Sequence, residues 1–151
     1  MRLQDRLVMV TGASRGIGAE VARACAREGA RVVLSHEPTD ERTAEAEGVA
    51  TTIREAGGEA YVVACDLSRE SEIKALAARC AELGGLDVLV ANACVEGHLP
   101  WRDITVEQWD YLHSVNTRGY WLLVREHHDQ LVASGHGSII GVTSVMAVTG
   151  L

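Results

Sequence analysis

Three glycines within seven residues occupy the segment Thr11-Gly12-Ala13-Ser14-Arg15-Gly16-Ile17-Gly18, directly after a short apolar run and directly before an amphipathic helical pattern. No other feature constrains the fold as strongly. A strand that feeds a glycine-rich turn and then a helix is the opening of a βαβ unit, and it aims unpaired helix N–H groups and a positive dipole end at the turn. The glycines take separate tasks in such a loop. Gly12 permits the tight turn, Gly16 lets backbone come close to a pyrophosphate, and Gly18 lets the helix pack near the strand. The segment therefore predicts an anion cradle rather than a plain turn.

The rest of the chain keeps the same rhythm. Apolar runs predict strands at 7–10, 31–35, 60–65, 88–91 and 138–143, and their continuous apolarity predicts cover on both faces. Helices fall between them. Ile17, Val21, Ala24 and Cys25 give the first its buried stripe, with Gly29 as its C-terminal stop; Ile73, Leu76, Ala77, Cys80 and Leu83 do the same for the third. The second, about 40–56, is weakened by Gly48. The fourth is the longest, about 106–133, and opens with Thr105 and Gln108 at capping-box spacing. Alternating strands and helices predict one α/β domain over 1–151, a Rossmann-type doubly wound parallel sheet in three layers.

With 151 residues, 47% of them apolar, the chain is large enough for one real core. Its net charge of -7 argues against a nucleic-acid or anionic-membrane partner. No apolar run approaches the roughly 18 residues of a membrane span. The charged opening Met1-Arg2-Leu3-Gln4-Asp5-Arg6 does not read as a signal peptide, and Cys25, Cys65, Cys80 and Cys94 form no CxxC pair. Reduced thiols and a cytoplasmic protein are expected.

The glycine spacing G-x-x-x-G-x-G resembles that of the short-chain dehydrogenase/reductase family, and further segments resemble the family in the same order. Asp66-Leu67 resembles the acidic position that accepts from the adenine amino group. Asn92-Ala93-Cys94 resembles the family's Asn-Asn-Ala-Gly, with Ala91 in place of the first Asn and Cys94 in place of the Gly. Asn116 resembles the catalytic Asn whose carbonyl holds a relay water, and Ser144 the catalytic Ser that bonds the substrate oxygen. Read on their own, Asp66 is a turn or capping residue and Asn116 a poor helix former at a bend. The resemblance implies hydride transfer between a nicotinamide and a small-molecule carbonyl or alcohol, in a homo-oligomer, dimer or tetramer, with the long helix as an interface.

The family's Tyr-x-x-x-Lys pair is missing from this sequence. Tyr61, Tyr111 and Tyr120 are followed four positions on by Cys65, Val115 and Val124. The resemblance places the pair about a dozen residues past Ser144, so the chain reads as the first part of such an enzyme. The fifth strand would stay an edge, and the apolar Val145-Met146-Ala147-Val148 would lack a cover. The rivals are a non-catalytic nucleotide-binding or sensing module and a Rossmann-like methyltransferase, the latter opposed by Asn92, Asn116 and Ser144.

The cofactor is expected to be NAD or NADP. At the end of the second strand His36 stands where NAD users often carry Asp, and Glu37 would accept from the ribose and repel a phosphate. Arg15 resembles NADP users. Glu37 tilts the balance to NAD. No metal site is expected, since neighbours in His127-His128-Asp129 point to different helix faces and read as solvated surface. Trp101, Trp109 and Trp121 are expected to pack in the core or in a subunit contact, and Cys25 and Cys80 in the core.

Overall fold

The structure, a computed structural model, describes residues 1–97, 100–145 and 149. Its order is β1 (Leu7–Thr11), α1 (Gly16–Arg27), β2 (Arg31–His36), α2 (Asp40–Glu55), β3 (Glu59–Ala64), α3 (Glu70–Glu82), β4 (Val88–Ala91), α4 (Val106–His113), a π-helical stretch (Ser114–Gly119), α5 (Tyr120–Ala133) and β5 (Ser138–Gly141). The strands form one parallel sheet in the order β3-β2-β1-β4-β5. The chain moves outward from β1 to β3, then returns to the other side of β1 with β4. Ligands of such sheets sit at that reversal, outside the carboxyl ends of β1 and β4.

Strand β1 is buried along its whole length because the period-2 alternation feeds two cores. Val8 and Val10 pack with Ala19, Ala22, Val49 and Ile53 on the α1–α2 side. Leu7 and Met9 pack with Ile73, Leu76, Leu122 and Leu131 on the α3–α5 side. Each such fully buried aliphatic side chain contributes roughly 1.5–3 kcal/mol by leaving water. The same two cores explain the parallel, doubly covered centre of the sheet.

The structure corrects several expectations. On α1, Gly18, Ala19 and Ala22 are the buried positions, whereas Ile17 is 65% exposed and Ala24 also faces solvent. Small residues win that face because the helix lies close to the sheet. Gly29 does stop α1, at φ 91°. Helix α2 runs through Gly48 without a break, started by Thr39, whose side chain accepts from Arg42 N–H, and by Asp40 and Glu41 in its first turn. The expected long helix contains the π-helical stretch between α4 and α5, and the capping box at Thr105 and Gln108 is formed.

The outer strands are not covered as expected. Ile139 and Ile140 on β5 are 44% and 49% exposed, and β5 ends at Gly141 rather than 143. Met146, Ala147 and Val148 lie outside the described residues. Trp101, Trp109 and Trp121 are surface residues, at 77%, 56% and 55% exposure, so none packs in the core. His127 is fully buried, not solvated; its Nδ1 lies 2.8 Å from the Leu123 carbonyl, while His128 and Asp129 do face solvent. Burial lowers the His127 pKa by disfavouring the charged ring. No His, Cys, Asp and Glu cluster able to hold a metal occurs among the described residues. Burial pushes the Cys65 and Cys80 thiols up to about 12, which leaves both unreactive.

Candidate active site

The site begins where β1 stops. Gly12 and Gly16 adopt φ 64° and 55°, a region closed to most side chains. Ala13 N–H donates to the Ser35 carbonyl at 3.0 Å, which ties the loop to β2. A Cβ on Gly18 would lie 2.2 Å from the Gly12 oxygen, so only glycine lets α1 come this close to the turn. A Cβ on Gly16 would meet nothing within 4 Å, leaving the approach to the loop open. The amides of Gly16, Ile17 and Gly18 form the first turn of α1, where no intrahelical acceptor exists, and no acidic residue stands in that turn. These donors and the dipole behind them make a seat for a negative group.

In front of the loop lies a crevice of ≈ 650 Å³, a size that suits a cofactor. Every nucleotide contact expected from the sequence lines it. Gly12, Ser14, Arg15, Gly16, Ile17 and Gly18 belong to its lining, with His36 and Glu37 from the end of β2. Asp66 and Leu67 join from beyond β3, and Asn92, Ala93 and Cys94 from beyond β4. Sequence reasoning did not assign Thr11, Arg42, Tyr111 or Val115 a place in this lining. Tyr111 and Val115, four apart across the α4 boundary, had a readable helical spacing; Arg42 had no such signal.

Several of these residues are held by the fold. Thr11 Oγ1 accepts from the Asn92 and Ala93 amides, both at 3.0 Å. Asn92 Nδ2 in turn donates to the Thr11 carbonyl at 2.9 Å, so β1 and β4 are clamped at the reversal point. Asp66 Oδ1 accepts from Ser68 N and Oγ at 2.9 and 2.7 Å, and Arg69 lies 3.1 Å from Oδ2. Asp66 is thus a turn residue that also borders the crevice. His36 is 2% exposed, with Nδ1 at 2.7 Å from the Glu37 carbonyl and Nε2 without a partner among the described residues. It forms part of the lining, while Glu37 is the exposed group beside it.

The two residues with expected catalytic roles do not line the crevice. Asn116 sits in the π-helical stretch, and its side chain accepts from Val95 N–H at 2.9 Å and donates to the Val95 carbonyl at 2.8 Å. It braces the loop that follows β4. Gly119 in the same stretch lets the helix approach Leu67, whose oxygen would lie 2.8 Å from an added Cβ. Ser144 is exposed beyond β5; Val142 N–H donates to the Ala91 carbonyl at 3.0 Å and holds that chain to the same sheet edge.

A second groove of ≈ 640 Å³ runs between the C-terminal ends of α1 and α2, lined by Met1, Arg27, Gly29 and Gly57 among others. Helix C-termini present carbonyls rather than N–H donors, so this groove lacks the anion seat despite its size.

The profile of the short chain dehydrogenase family matches residues 6–151. The chain belongs to that family. Among curated relatives, L-rhamnose 1-dehydrogenase (NAD(P)(+)) of Azotobacter vinelandii is 39% identical over 152 residues, covering 99% of this chain and 59% of that protein. Cis-4-hydroxycyclohexanecarboxylate dehydrogenase of Sinomonas cyclohexanicum is 37% identical over 149 residues, covering 97% and 57%. A metagenomic short-chain oxidoreductase solved in complex with NADP superposes with a TM-score of 0.91 at 37% identity, covering 100% of this chain and 67% of that one. A Burkholderia cenocepacia short-chain dehydrogenase in complex with NADP gives 0.87 at 31%, covering 100% and 60%. The chain spans less than two thirds of the length of these curated relatives. No helix among the described residues is long and apolar enough to cross a membrane.

Proposed function

We propose that this chain binds a nicotinamide dinucleotide and serves hydride transfer between it and a small-molecule carbonyl or alcohol. The observation that carries the reading is the crevice itself: three first-turn amides of α1, without an intrahelical acceptor, open into a cavity lined by every expected nucleotide contact. In this reading those amides bind the pyrophosphate and Glu37 accepts from the adenosine ribose. Asp66 borders the adenine, the Asn116 carbonyl holds a water, and Ser144 bonds the substrate oxygen. The nicotinamide, when bound, supplies the hydride acceptor or donor. Turnover is proposed for a protein that also carries the Tyr-x-x-x-Lys pair, which tunes a phenol for proton exchange.

Titration of the chain with NADH and NADPH tests the reading, with tryptophan fluorescence and melting temperature as readouts. Saturable binding of at least one is expected. No response to either at saturation would end the proposal. At the ribose end, Glu37→Arg replaces a carboxylate with a phosphate-binding guanidinium and is expected to shift the NADPH-to-NADH affinity ratio about tenfold or more toward NADPH. The two titration curves, before and after the change, measure it; superimposable ratios refute it.

A further inference from the structure

Two guanidiniums, Arg15 and Arg42, stand among the described residues that line the crevice, and Glu37 acts electrostatically on Arg42. A 2′-phosphate on the adenosine ribose would need one or both. Arg42 is already engaged. Its Nη1 lies 2.8 Å from Glu45 Oε2 and 3.7 Å from Glu41 Oε1, and Arg42 is only 21% exposed. Glu45 follows three residues later on α2, so the pair shares a helix face and is fixed by the backbone. The Arg42 hydrogen bond, then the Ser14 hydroxyl and the Arg15 charge, hold the Glu45 carboxyl below its usual range. Glu45 therefore pairs with Arg42 and lies within electrostatic reach of Arg15 without lining the crevice itself. Against the two guanidiniums stand three carboxylates, Glu37, Glu41 and Glu45.

We propose that Glu45 is a positioning residue for cofactor choice: by holding Arg42 and countering Arg15, it withholds from a 2′-phosphate the cations that the crevice contains. The inference rests on the nucleotide reading above and adds to it a determinant outside the ribose-contacting position Glu37. With Glu45 in place, a dianionic 2′-phosphate meets a pocket whose Arg42 is paired and whose Arg15 is offset by a nearby carboxylate, and the plain ribose hydroxyls lose nothing by that. Without the Glu45 carboxylate, Arg42 is free to turn toward the ribose and Arg15 loses its counter-charge.

The test is Glu45→Gln, which keeps the shape of the side chain and removes its charge. Dissociation constants for NADPH and NADH are measured by fluorescence titration and calorimetry, with 2′-AMP and 5′-AMP as probes of the ribose end alone. NADPH and 2′-AMP are expected to bind about tenfold more tightly, with NADH and 5′-AMP within twofold of the parent. Arg42→Ala added to Glu45→Gln is expected to abolish the gain, and Glu45→Asp to show little of it. Glu47→Gln, which removes the same charge from a residue paired with Arg54 instead, is expected to leave the ratio unchanged. An unchanged NADPH-to-NADH ratio in Glu45→Gln overturns the proposal while nucleotide binding stands, as does an equal gain from Glu47→Gln. Failure of parent and variant alike to bind either dinucleotide overturns the functional reading and this inference with it.

Discussion

Gly18→Ala is expected to lower dinucleotide affinity about 100-fold and to cost about 2–4 kcal/mol of stability, a far larger effect than its single added methyl suggests. The added Cβ would sit 2.2 Å from the Gly12 oxygen and 2.6 Å from Asn92 Nδ2. Neither can yield cheaply. Gly12 is backbone inside a turn at φ 64°, and Asn92 Nδ2 is bonded to the Thr11 carbonyl at 2.9 Å. The helix must move away instead, in an interior too dense to absorb the step. As α1 withdraws, the amides of its first turn leave their aim on the pyrophosphate. Losing one or two hydrogen bonds to a charged group, at about 1.5–3 kcal/mol each, accounts for the 100-fold. Thermal melting should fall by about 6–12 °C for a chain of this size. Gly48→Ala makes the contrasting control: nothing lies within 4 Å of its Cβ, in the middle of α2. It should gain about 0.5–1 kcal/mol and leave affinity unchanged. Equal melting temperatures and affinities for Gly18→Ala and the parent would show that the close helix–turn approach has no part in binding.

The fold was largely legible because its centre obeys one rule at every level. The apolar run of β1 has two buried faces, and the glycine loop fixes the direction in which the chain leaves it. What periodicity could not supply was proximity. Ile17 looks like a core residue by its chemistry and its spacing, yet the glycine at 18 brings α1 so near the sheet that only Ala19 and Ala22 fit beneath it. His127 shows the opposite case, a polar residue buried because its position on α5 falls on the face packed against the core. Adjacent polar residues at 128 and 129 hid that from a reading by composition.

The candidate site divides in the same way. Residues that shape the crevice through backbone, such as Gly12 and Gly16, announce themselves in sequence because only glycine meets their geometric demand. Residues that act through tertiary contact do not. Arg42 reaches the crevice from α2, and Glu45, one helical turn on, acts there through its pair with Arg42 and its nearness to Ser14 and Arg15. His36, at the end of β2 where NAD users often carry Asp, lines the crevice with its ring bonded to the next carbonyl, while Glu37 is the exposed group beside it. The Asn116 side chain is spent on Val95, a tertiary contact that sequence spacing does not announce.

Thr11→Val is expected to cost about 2–3 kcal/mol and to weaken dinucleotide binding about tenfold, even though valine matches threonine in shape and suits a strand as well. Thr11 is 1% exposed, and its hydroxyl accepts from the amides of Asn92 and Ala93 at 3.0 Å each. Valine offers no acceptor. Both amides lie on partly buried residues, so water replaces the lost bonds incompletely, and the cost falls short of two fully orphaned donors. The segment from Asn92 to Cys94 would then loosen where it faces the glycine loop, which is why affinity falls along with stability. Thr11→Ser keeps the acceptor and should recover most of the binding, losing about 1 kcal/mol for the missing methyl. Amide hydrogen exchange separates this account from a general loss of packing: protection at Asn92 and Ala93 should drop in Thr11→Val and persist in Thr11→Ser. If both variants protect those amides as the parent does, the clamp between β1 and β4 does not depend on the hydroxyl.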